Sequence, residues 1–128
     1  MKPVYVPMNP PDWRLDLNRL SELFNDRTRL VVICNPNNPA GTVLNETELS
    51  EIARLCKKWD TIVVTDEVYE HLVYDGQKHR CIAAIDGMRE RSVVISSASK
   101  TFSVTGWRVG TIIAPDDPIT YPLSLIHI

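Results

Sequence analysis

Three short runs of β-branched residues recur along this chain, and each breaks into polar residues at its carboxyl end. They are RLVVIC at residues 29–34, TIVVT at 61–65 and the Val93-Val94-Ile95 run. Runs this short, apolar and rich in Val and Ile read as buried strands. Between the first two lies a helical signal. Asn45 and Glu48 have the spacing of a capping box, and Leu49, Ile52, Ala53 and Cys56 then fall on one face until about Lys58. Strand, helix, strand in that order predicts a parallel α/β sheet. A fourth run, VGTIIA at 109–114, follows a Gly106-Trp107 turn. So short a connection cannot make a parallel crossover, so this strand is expected to be antiparallel. The remaining elements are minor. A strand is expected at residues 4–6, a loop at 9–12, and an amphipathic helix over 16–25 carrying Leu17, Leu20, Leu23 and Phe24. A turn at Asp75-Gly76 and one helical turn over 82–85 complete the reading.

In a parallel sheet the carboxyl ends of the strands share one edge, and open sheets bind ligands there. The chain places chemistry at all three such ends. After the first strand comes Asn35-Pro36-Asn37-Asn38-Pro39-Ala40-Gly41. Its prolines cannot continue a strand, so it is either a plain turn or a rigid loop that presents the Asn38 amide. After the second strand come Asp66 and Tyr69. Asp66 either caps a turn or faces a ligand cation. After the third come Ser97, Lys100 and, beyond the Gly-Trp turn, Arg108. A lysine in a serine-rich loop is ordinarily a solvated surface residue. Together, however, a hydroxyl and a guanidinium suit a phosphate monoester, and a neighbouring amine suits a Schiff base with an anchored aldehyde. A pyridine aldehyde phosphate would use the whole set. Lys100 would hold the aldehyde carbon and Asp66 the ring nitrogen. Tyr69 and Asn38 would bond the phenolic oxygen, and Ser97 and Arg108 the phosphate.

Composition narrows the alternatives. The chain has 128 residues, 44% of them hydrophobic, with a net charge of −2 and interleaved signs. That suits one globular domain and argues against nucleic acid or a membrane surface as partner. No apolar run reaches transmembrane length, and no signal-peptide core opens the chain. Cys34, Cys56 and Cys81 are odd in number and lack CxxC spacing. Reduced thiols are the simplest account, so the expected compartment is the cytoplasm, with the mitochondrion as the alternative. His71, His79 and His127 show no ligand spacing, and no metal site is expected.

The motifs NPNNPAG, TDEVYE and SSASKTFSVTGWRVG, in that order, resemble those of the fold-type I aminotransferases that use pyridoxal 5′-phosphate (class I/II). The run HLVYDGQKH and the segment Gly87-Met88-Arg89-Glu90-Arg91 look like the kynurenine aminotransferase and cysteine-S-conjugate β-lyase (glutamine transaminase K) branch. The resemblance covers residues 2–118. It implies that 1–118 form part of a pyridoxal-phosphate-binding large domain, mainly parallel with one antiparallel strand. Residues 119–128, ending Leu-Ser-Leu-Ile-His-Ile, are expected to be a non-native tail. It further implies a homodimeric parent that moves an amino group from kynurenine, glutamine or another aromatic or sulfur amino acid to a 2-oxo acid. Lys100 would move the α-proton in a ping-pong reaction. The family's upstream ring-stacking loop and its C-terminal small domain have no counterpart in this sequence, so the segment alone is expected to be inactive. A β-lyase of the same fold and an inert truncated product are the alternatives. A signalling receiver domain also sets an Asp and a Lys at strand ends, but it needs acidic metal partners near its first strand. Finally, the Asn38–Pro39 peptide is expected to be cis, in preference to Asn35–Pro36.

Overall fold

The computed structural model describes residues 2–115. The expected tail over 119–128 lies outside the described residues, as do 116–118. The chain opens with a small hairpin, β1 (Met8–Asn9) paired antiparallel with β2 (Arg14–Leu15). The strand expected at residues 4–6 does not form. Pro3 and Pro7 flank it, and neither can donate to a ladder. The loop expected at 9–12 is the turn of the hairpin instead. Helix α1 (Leu17–Leu23) follows, with Asp16 at its N-cap accepting from the Arg19 amide.

The main sheet contains β3 (Leu30–Cys34), β4 (Ile62–Asp66), β5 (Ser92–Ser97) and β6 (Gly110–Ile113) in that spatial order. The first three are parallel and β6 is antiparallel to β5, as the chain pattern predicts. Helix α2 (Glu46–Trp59) makes the crossover from β3 to β4. Its start is the expected capping box: Asn45 accepts from the Glu48 amide and Glu48 accepts from the Asn45 amide. Its end is Asp60, in the left-handed region at φ 50°.

The core lies between α2 and one face of the sheet. Leu49, Ile52, Ala53, Leu55 and Cys56 of α2 are all buried there, with Val63 of β4 and with Ile82 and Met88 from the β4–β5 connection. Each large side chain removed from water in this way contributes about 1.5–3 kcal/mol before the entropy of ordering is counted. The reading of β3 as a buried strand needs correction. It is the edge strand, and Val32 is 67% exposed on the face opposite α2. Its apolar composition suits a strand with a neighbour, but among the described residues none lies on that side. The single turn expected near residue 82 is a 3-10 turn, Ile82–Ala84.

Candidate active site

Residue pairing brings the three strand ends to one edge. Cys34 stands opposite Asp66, Asp66 opposite Ile95, and Ser97 opposite Gly110. Successive residues of a strand face opposite sides of a sheet. Thr65 is buried on the α2 side, so Asp66 falls on the other, where it is half-buried. One of its oxygens, Oδ1, accepts from the Val68 amide at 3.1 Å, which ties the carboxylate to the turn that follows.

That turn delivers Tyr69, whose hydroxyl accepts from Asn38 Nδ2 at 3.2 Å. Asn38 comes from the loop after β3, closed by the Gly41 amide on Asn37 O at 2.9 Å and the Asn37 amide on Thr42 O at 2.8 Å. The Asn38–Pro39 peptide is cis, as expected. Asn35–Pro36 is cis as well, against the expectation that one step alone would be, and so is Pro10–Pro11.

The third strand end carries the lysine. Ser97 caps the one-turn helix α3 (Ala98–Thr101), its hydroxyl accepting from the Ser99 amide at 3.1 Å and donating to Val109 O at 3.2 Å. Lys100 sits on the exposed side of this turn, with Nζ 5.9 Å from the centroid of the Tyr69 ring. Asn38, Tyr69 and Lys100, from three separate loops, therefore meet. Arg108 is held less closely. It is exposed, adopts φ 55°, and donates from Nη1 to Thr105 O at 3.2 Å. The fold sets Arg108 beside Val109, the carbonyl partner of Ser97, but no hydrogen bond joins the Ser97 and Arg108 side chains among the described residues.

The thiols around the site are not poised for attack. Burial pushes Cys34 up, assisted by the Asp66 carboxylate and opposed by a backbone hydrogen bond at Asn38. Burial, then the Glu67 carboxylate, pushes Cys81 up to about 11. Thiols that stay protonated are poor nucleophiles.

Four residues behind the site lie within the quoted motifs but are assigned no role there. Glu67 is 1% exposed, accepts from Thr65 Oγ1 at 3.0 Å and has His79 Nε2 at 3.0 Å from Oε2. That nitrogen lies close to the carboxylate but not in line for a straight hydrogen bond, so the contact is one of proximity. Glu70 Oε1 accepts from Ser96 Oγ at 2.7 Å, linking the turn after β4 to the end of β5. Asn35, fully buried, accepts from the Leu44 amide at 2.9 Å and donates to Arg80 O at 3.3 Å. The sequence does carry a signal for Glu67. It stands two places after an inward residue, where strand alternation puts a charge in the core. Glu67, Glu70 and His79 also bring three potential ligand atoms within 4.8 Å of one another, although the histidine spacing suggests no such group.

A lysine amine over a phenol ring, a half-buried carboxylate on the same edge and a hydroxyl-capped turn suit pyridoxal phosphate, the cofactor expected from the motifs. No helix among the described residues is long and apolar enough to cross a membrane. Known proteins bear on the same point. The chain is 49% identical over 121 residues to human kynurenine–oxoglutarate transaminase 3, covering 94% of this chain and 27% of that protein. Its structure is similar to that of an aromatic aminotransferase from Pyrococcus horikoshii, with a TM-score of 0.84 at 45% identity over 89% of this chain and 31% of the other. It is also similar to cystalysin from Treponema denticola, whose structure contains pyridoxal 5′-phosphate, with a TM-score of 0.80 at 26% identity over 89% of this chain and 29% of the other. The chain thus spans less than a third of the length of these relatives. Residues 1–126 match aminotransferase class I and II, and the chain belongs to that family.

Proposed function

We propose that this chain is the pyridoxal-phosphate-binding part of an enzyme that transfers an amino group from an amino acid to a 2-oxo acid. Kynurenine and related aromatic or sulfur amino acids are the donors the similarity favours. The observation that carries the reading is the meeting of Asn38, Tyr69 and Lys100 above the Asp66 strand end. Pyridoxal phosphate, when bound, supplies an electron sink for the charge left as a substrate α-proton departs.

The residues of the chain have separable tasks in this reading. Lys100 Nζ would hold the cofactor at its aldehyde carbon and would carry the proton from the substrate α-carbon to that carbon. Asp66 keeps the ring nitrogen protonated, since a carboxylate beside it favours the cation. Tyr69 and Asn38, already bonded to each other, orient the phenolic oxygen. Ser97 and Arg108 hold the phosphate, and the exposed Arg108 turns from Thr105 O to do so. The parent protein is a cytoplasmic homodimer. The exposed Phe102 and Trp107 beside the lysine turn, at 71% and 75%, support a covering neighbour at that surface.

The test is to add pyridoxal phosphate to the full-length protein, reduce with borohydride and map the labelled peptide. The label is expected on Lys100, and a label on Lys57 or Lys78 overturns the assignment. Amino transfer from kynurenine to 2-oxoglutarate is the expected activity. A cysteine S-conjugate run in parallel reveals a lyase if loss of the β-group outpaces transfer.

A further inference from the structure

Residues 79–81 cross behind two of the three loops that build the site. Two side chains fasten them there. Glu67, adjacent to Asp66 in the chain, brings its buried carboxylate to 3.0 Å from His79 Nε2. Asn35, which opens the loop carrying Asn38, donates to Arg80 O and accepts from Leu44 N, so one buried amide spans the strap and both ends of its own loop. Arg80 also pairs with Glu46 at the start of α2. A carboxylate this deeply buried is costly unless a donor or cation meets it. Thr65 supplies one hydrogen bond and His79 is the basic group beside the second oxygen.

Glu67 and Asp66 are consecutive and face opposite sides of the sheet edge, so fixing one fixes the peptide that aims the other. We infer that His79, acting through Glu67 and together with Asn35, is a positioning residue that sets Asp66, Tyr69 and Asn38 from the side of the sheet away from the cofactor. This rests on the function proposed above for its consequence in cofactor binding, but not for the coupling itself. Among the described residues, no hydrogen bond or ion pair joins His79 to the proposed cofactor-binding side chains. It acts by leaving the turn after β4 and the loop after β3 only one arrangement.

The coupling is read without cofactor, by amide hydrogen exchange on the full-length apoprotein and its His79→Leu and His79→Gln variants. Three amides report the two loops: Val68 on Asp66 Oδ1, Gly41 on Asn37 O and Leu44 on Asn35 Oδ1. His79→Leu is expected to speed their exchange roughly tenfold while mid-strand amides of β4 and β5 keep their rates. His79→Gln, which keeps a polar N–H group able to reach Glu67, is expected to stay within about threefold of the native rates. The dissociation constant for pyridoxal phosphate, from its visible absorbance, should rise about tenfold in His79→Leu and much less in His79→Gln. If His79→Leu does not fold, Glu67→Gln/His79→Leu removes the buried charge and should show the same selective exchange.

Unchanged loop amides overturn the inference. So does acceleration shared equally by the strands, which would mean a general stabilising role. If EDTA treatment of the native protein reproduces the His79→Leu pattern, the Glu67, Glu70 and His79 group is a metal site and the inference also fails. A borohydride label away from Lys100 with selective exchange intact would sink the cofactor assignment and leave the coupling standing.

Discussion

Asp66 shows how one residue's position defines its task. Its carboxylate lies on the open face of the sheet, with Oδ1 bound to the following turn. An Asp66→Asn variant of the full-length protein keeps this turn, because an amide oxygen can accept the same hydrogen bond. It cannot hold a ring nitrogen as a cation. The variant is therefore expected to bind pyridoxal phosphate yet lose transaminase turnover by on the order of a hundredfold or more. Near-native turnover would remove Asp66 from the role. The cysteines give a second prediction at this scale. Cys56 is fully buried and pushed up to about 12, whereas Cys34 is half-buried. Alkylation of the native protein at pH 8 should therefore label Cys34 before Cys56. Because the folded-state pKa of Cys56 lies above the ordinary 9.0, the unfolded chain gives up this proton first. The contribution of Cys56 to stability is complete below about pH 9 and is lost as pH rises towards 12. Melting temperatures taken from pH 8.5 to 11 should fall, and less steeply in Cys56→Ala. An equal slope in the variant would assign the fall to other groups.

At the scale of elements, α2 organises the described chain, and its first turn is where a single change costs most. Glu48, buried, accepts from the amides of Asn45 at 2.8 Å and Leu15 at 3.0 Å and stands 3.4 Å from Arg14. It thus caps the helix and fastens the β1–β2 hairpin to it. Glu48→Ala strands two backbone donors and is expected to cost about 2–4 kcal/mol. Asn45→Ala removes one cap bond and should cost about 1 kcal/mol. Glu51→Ala breaks only a surface pair with Arg54 and should stay within about 0.5 kcal/mol. Urea denaturation of the three variants ranks them. If Glu51→Ala matches Glu48→Ala, the cap does not dominate this end of the helix. The capping box was legible from spacing alone because cap and partner lie three residues apart. The tie to Leu15 was not, since it joins residues 33 apart.

At the scale of the molecule, β3 and β6 are unpaired edges of the sheet among the described residues, and the site is built from one side. Val32 on β3 and Ile112 and Ile113 on β6 leave apolar side chains in water. Residues 1–128 expressed alone are expected to self-associate, seen as large species in size-exclusion chromatography. They are also expected not to catalyse transamination. A substrate α-proton must lie over Lys100, and misplacement by about an ångström costs on the order of a hundredfold. A single amide such as that of Asn38 would offer a substrate carboxylate one hydrogen bond, not the bidentate grip that would fix it. Conversion of kynurenine and 2-oxoglutarate by the purified chain at a rate clearly above free pyridoxal phosphate would refute this expectation.

Local pattern and motif order determined the main strands and helices, the parallel and antiparallel pairings and the family, and nominated six side chains for the site. Those properties depend on periodicity, caps and turn residues that neighbours in the chain supply. Tertiary structure decided what depends on distant partners. It made β3 an edge strand, replaced the strand at 4–6 by a hairpin held to α2, and bonded Arg108 to Thr105 O. It also placed His79 against Glu67, a pairing 12 positions apart that no local rule dictates, because a buried carboxylate takes whichever partner the fold carries to it.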